Sequence, residues 1–89
     1  MATVRLDGML REFVSARSIE VEAPDVSRLL DGIEAAYPRV RYRLRDETGA
    51  LRPFVRIFVN GEDVSLVPRL TTPLQARDKV DILHSIQGG

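Results

Sequence analysis

Helical periodicity occurs once in this chain and is cut off by a proline, so the fold has one main helix and must complete its core with strands. After Pro24, the residues Val26, Leu29, Leu30, Ile33, Ala36 and Tyr37 recur at the spacing that gathers apolar side chains on one helical face. Asp25 or Ser27 can cap the exposed amides of the first turn. Pro38 lacks an N–H and its ring clashes with the preceding turn, so the helix ends near Ala36 or Tyr37.

The remaining patterned segments have period two. Thr3-Val4-Arg5-Leu6-Asp7 and Ser18-Ile19-Glu20-Val21-Glu22 each put apolar side chains on one face of a sheet and together suggest a hairpin. Their connection, which begins near Gly8, is too long for a tight turn, so a loose loop with Leu10 and Phe13 tucked inward is expected. Val40 to Arg45 reads as a short strand or as one helical turn; the turn, with Val40 and Leu44 on one side, is preferred. Phe54 to Val59 is rich in β-branched and aromatic residues and runs into Asn60-Gly61, a strong hairpin signal, with Glu62 to Leu66 returning as a short strand. Thr71-Thr72-Pro73-Leu74 is a compact loop or single turn anchored by Leu74, and Lys79 to Leu83 is the last strand. The order is ββαββ plus one further strand, an α+β class in which a mixed sheet of four to five strands packs on one main helix. Residues 1–83 form the domain and 84–89 a flexible tail.

Composition narrows the function classes. A chain of 89 residues buries only about two thirds of its unfolded surface and builds a single core. With 44% hydrophobic and 29% charged residues it reads as a globular domain. It has no cysteine, which removes disulfides, thiolate metal sites and a cysteine nucleophile, and points to the cytoplasm. Met1 to Asp7 alternates instead of forming a signal peptide, and no segment is long enough to span a membrane. Thirteen basic side chains balance thirteen acidic ones, which argues against a nucleic-acid partner. Lys79 is the only lysine, leaving almost no internal amine for self-conjugation.

At motif level the chain resembles the MoaD/ThiS family of sulfur carriers, with the CysO-like carriers nearest. The resemblance rests on Leu51 to Val64, on Thr72-Pro73-Leu74, on Asp78 to Leu83 and on the terminal Gly88-Gly89. It implies a ubiquitin-like β-grasp fold. It also implies that an E1-like enzyme uses ATP to adenylate Gly89, after which a sulfur donor displaces AMP and leaves a C-terminal thiocarboxylate. The protein is then a carrier and not an enzyme. It binds no cofactor, and ATP is consumed by the activating partner. A synthase or sulfhydrylase accepts the sulfur, on a molybdopterin precursor, the thiazole precursor of thiamin, an activated serine derivative or a specialised metabolite. Leu83-His84-Ser85-Ile86-Gln87 departs from related carriers in lacking a proline before the glycines.

The residue types suit this chemistry. A carboxylate is a poor acyl electrophile and needs AMP as leaving group. A tail of residues 84–89 reaches at most about 20 Å when extended, enough to enter a deep channel. Gly88 and Gly89 let that channel be narrow. If Val55, Ile57, Val59, Val80 and Ile82 face the helix, alternation puts Phe54, Phe58 and Leu83 on the uncovered face. Phe58 and Leu83, rimmed by Arg5 and Arg56 and continued by Ile86 in the tail, are the expected partner-binding surface.

Other groups invite less. Arg39, Arg41, Arg43 and Arg45 beside Tyr42 suggest an RNA groove, but Asp46, Glu47 and the neutral total favour a solvated face. His84 has no second histidine for a metal site and reads as structural or tail-flanking. The acidic pairs Asp78/Asp81 and Glu62/Asp63 fit turns and strand ends. No metal site is expected. Two alternatives stay open: a ubiquitin-like modifier joined through Gly89 to lysines of other proteins, and a β-grasp module that binds without covalent chemistry.

Overall fold

The computed structural model describes residues 1–14 and 16–84. Strands β1 (Ala2–Gly8), β2 (Ser18–Val21), β3 (Val55–Val59), β4 (Glu62–Asp63) and β5 (Lys79–His84) form one mixed sheet in the order β2-β1-β5-β3-β4. The helix α1 (Val26–Ala36) packs its apolar stripe on one face of it. β1 and β2 make the expected antiparallel pair. β5 runs parallel to β1 and antiparallel to β3, so the last strand lies in the middle of the sheet.

Of the two candidate caps, Asp25 fills the role. Its backbone is extended and its Oδ1 accepts a hydrogen bond from the Arg28 N–H at 2.8 Å. At the other end Tyr37 leaves helical geometry (φ −131°, ψ 79°), as the residue before a proline is forced to do. Pro38–Val40 then forms a short 3-10 turn. Val40 and Leu44 are both fully buried, which agrees with the turn reading of this segment. The core joins Val26, Leu29, Leu30 and Ile33 of α1 to Val4, Leu6, Val55, Ile57, Val80 and Ile82 of the sheet, with Leu10 and Val14 from the β1–β2 connection. Leu74 packs against this cluster as an anchor. Among the described residues, no helix is long and apolar enough to cross a membrane.

The Asn60-Gly61 hairpin forms with both residues at positive φ (51° and 86°), the backbone that matches strand twist. Its turn is tied to the start of β5: Asn60 Oδ1 accepts from the Lys79 N–H at 2.9 Å, and Asn60 Nδ2 donates to Asp78 at 3.0 Å. The return strand is shorter than its sequence suggests. β4 stops at Asp63 because the Ser65 hydroxyl, not a strand carbonyl, accepts the Ile57 N–H at 2.7 Å, while the Ser65 N–H donates to Asp63. A side chain here replaces the ladder.

Two placements differ from the sequence expectation. Phe54 is not on the uncovered face: it precedes β3 in a turn closed by Val55 N–H to Arg52 O at 3.0 Å, so strand alternation does not reach it, and it packs against the core. β5 also extends one residue beyond Leu83, which places His84 in the sheet.

Candidate functional site

β5 delivers the C-terminal segment from the centre of the sheet. Its last residue, His84, is paired with Gly8 of β1 on one side and Val55 of β3 on the other. Ile86, Gly88 and Gly89 lie outside the described residues. Gly8 adopts φ 72° and ψ −140°, and a Cβ at this position would fall 2.3 Å from the His84 carbonyl oxygen. Only glycine lets β1 lie this close to the main chain of His84.

His84 is 8% exposed, and its ring meets Phe54 edge to face with centroids 4.9 Å apart. Its Nδ1 is buried and makes no hydrogen bond among the described residues. Burial lowers the pKa of the imidazole from its ordinary 6.5; a contact with its own main chain opposes this, and the Arg43 charge adds to the depression. A depressed histidine favours folding only while it is neutral. As pH falls below about 6.5 the unfolded chain takes up a proton that the folded chain resists, so stability declines. His84 is the only histidine. The urea midpoint is therefore expected to fall between pH 7.5 and 5, and to fall less in His84→Phe, which keeps a ring against Phe54. Equal slopes in the two proteins would refute this. Asp46, Asp63 and Asp78, whose carboxyls are held below 3.8 mainly by hydrogen bonds, lose their contribution only at more acid pH.

The face opposite α1 carries the four body residues expected for docking. Strand register aligns Arg5, Asp81 and Phe58 in one row and Asp7, Leu83 and Arg56 in the next. Leu83 is 42% exposed and Phe58 half-buried, on diagonal positions within reach of each other. The rim is less basic than the sequence suggested. Asp81 lies 3.7 Å from Arg5, and the Arg56 guanidinium donates back to the carbonyls of Pro53 and Val55.

The arginine run does not form one groove, because its members divide among three places. Arg45 folds under α1 and is bound by Glu34 at 2.8 Å and Asp31 at 2.7 Å. Burial works against its charge, but these hydrogen bonds outweigh burial and raise its pKa. Arg39 and Arg43 both lie over the Phe13 ring, and Arg41 lies over Tyr42. Sequence reasoning missed the cleft beside His84, which is lined by Tyr42, Arg43, Arg52 and Phe54.

A five-stranded mixed sheet closed around one helix, with a parallel central pair, is the β-grasp architecture of ubiquitin-like proteins. The chain belongs to the ThiS family, whose profile matches residues 4–89. It is 32% identical over 90 residues to sulfur carrier protein CysO of Mycobacterium tuberculosis, covering 98% of this chain and 97% of that protein. A chain of the Amycolatopsis orientalis BexX/CysO complex superposes with a TM-score of 0.85 at 28% identity, covering 100% of both chains. Small archaeal modifier protein 1 of Methanosarcina acetivorans shares the fold, with a TM-score of 0.85 at 23% identity over 99% of this chain and 95% of that one.

Proposed function

We propose that this protein carries sulfur as a thiocarboxylate on Gly89. The observation that carries the reading is the ThiS-family match, which runs through to residue 89. A carboxylate oxygen of Gly89 attacks the α-phosphorus of ATP on an E1-like partner and releases pyrophosphate. A sulfur nucleophile then attacks the acyl carbon and expels AMP. The carrier contributes an acyl group and a docking body, and the partner enzymes contribute the catalysis. Resemblance to CysO carriers favours an activated serine derivative, processed by a sulfhydrylase, as the acceptor. A cytoplasmic setting suits a chain without cysteine.

Intact-mass analysis after incubation with the adenylating partner, ATP and a sulfur donor tests the reading. The expected product has one oxygen replaced by sulfur. Conjugates to other polypeptides would instead make the chain a protein modifier, and an unchanged mass would remove both readings.

The Phe58–Leu83 face is proposed as the main docking surface for the partner. The double variant Phe58→Ser/Leu83→Ser should raise the Kd for the adenylating enzyme at least tenfold, a loss of about 1.4 kcal/mol, with its circular dichroism intact. Unchanged affinity in a folded double variant removes this face from the docking interaction.

A further inference from the structure

A second, chemically different surface lies where β5 ends. Tyr42, Arg43, Arg52, Phe54 and His84 line a cleft of about 250 Å³. Two guanidiniums and no carboxylate face it, and among the described residues neither Arg43 nor Arg52 forms a salt bridge. Both are held in place by groups that do not neutralise their charge. Arg52 donates its Nε–H to the Tyr42 carbonyl at 2.7 Å, and among the described residues its terminal nitrogens form no hydrogen bond, while Arg43 rests 4.5 Å above the Phe13 ring. Asp46 feels the Arg52 charge, but its Oδ1 is already engaged by Thr48 and the Ala50 N–H. His84, which also lines the cleft, has a buried Nδ1 without a hydrogen-bond partner among the described residues. A pair of pre-oriented arginines without an acid is a receptor for an external anion.

We infer that this cleft receives one carboxylate side chain of the protein that takes up the C-terminal segment, clasped between Arg43 and Arg52 above the His84–Phe54 pair. The site is lined by His84, the last residue of β5, so a carboxylate bound there lies beside the residue from which 85–89 continue. Its chemistry is electrostatic where the Phe58–Leu83 face is apolar, and the two together set orientation as well as affinity. Only the identity of that protein rests on the sulfur-carrier reading.

The direct test is a nitrogen-15 NMR titration of the folded protein with N-acetylglutamate α-amide, which offers a single carboxylate. Saturable shifts are expected at the Nε–Hε groups of Arg43 and Arg52, with none from sodium chloride at equal ionic strength and none in Arg43→Gln/Arg52→Gln. With the adenylating partner, the same double variant should raise KM for the carrier at least tenfold and weaken its salt dependence. Arg43→Lys/Arg52→Lys should recover part of the loss, and Arg28→Gln, on the far side of α1's first turn, should change nothing. The inference is overturned by shifts that do not saturate, by inorganic phosphate binding the cleft more tightly than the carboxylate, or by a folded double variant with unchanged KM. If the unaltered protein acquires no sulfur, the sulfur-carrier reading fails, and the carboxylate titration still decides the cleft.

Discussion

Replacing Gly89 by alanine is expected to slow sulfur acquisition about a hundredfold, and adding one residue beyond Gly89 to abolish it at that carbonyl. The two variants fail for different reasons. In the extended chain the reacting carboxylate has become an amide, whose remaining oxygen is uncharged and a far weaker nucleophile toward the α-phosphorus of ATP. In the alanine variant the carboxylate remains, but on the proposed mechanism its new Cβ would crowd the acyl carbon where the partner engages it. A displacement of about 1 Å from the productive approach costs about two orders of magnitude. Mass spectrometry of the thiocarboxylate over time reads the rate, and pyrophosphate exchange separates failed adenylation from failed sulfur transfer. Both variants keep residues 1–84, so their unfolding midpoints serve as controls. Normal uptake by either one would remove Gly89 as the acyl group.

The second large effect belongs to Gly8. In Gly8→Ala the new Cβ meets the His84 carbonyl, a main-chain group that cannot swing aside, and φ 72° with ψ −140° is a conformation nearly reserved for glycine. The combined cost should be about 3 kcal/mol or more. For a domain of this size that lowers Tm by about 12 °C or more. Gly61 provides the comparison, since it also has positive φ but a Cβ there meets nothing within 4 Å. Gly61→Ala should show the backbone strain without the collision and cost about 1 kcal/mol. Thermal unfolding of the pair isolates the contact between β1 and β5, and equal losses would show that the contact has no energetic weight. Sulfur uptake measured well below Tm should also fall in Gly8→Ala, because relief of the clash has to displace the carbonyl that starts the tail.

Much of this architecture is legible in the sequence because its signals are local. The helix from Val26, the Asn60-Gly61 turn and the alternation of Val80 and Ile82 need only spacing and backbone chemistry to be read. The errors arise where a distant group intervenes. Leu66 did not continue a strand because the Ser65 hydroxyl captured the Ile57 N–H. Phe54 escaped the parity rule because a turn from Arg52 to Val55 lies just ahead of β3. His84 reads as tail from its polarity, yet its ring finds Phe54 across the sheet. In the docking face, Phe58, Leu83, Arg5 and Arg56 share a side as alternation predicts. Asp81 and Asp7 enter the same rows only through a register that no local pattern reveals. The arginine run shows the same limit. Asp31 and Glu34 are visible on one helical face, but their grip on Arg45, fourteen and eleven residues away, is a tertiary fact.

The central position of β5 has a mechanical consequence. An enzyme that draws the terminus inward applies traction along a strand hydrogen-bonded on both flanks, to β1 and to β3. Such a load is shared by two ladders in shear, whereas an edge strand would have only one to bear it. The body can therefore bear tension at its last residue and stay folded while its end is worked upon.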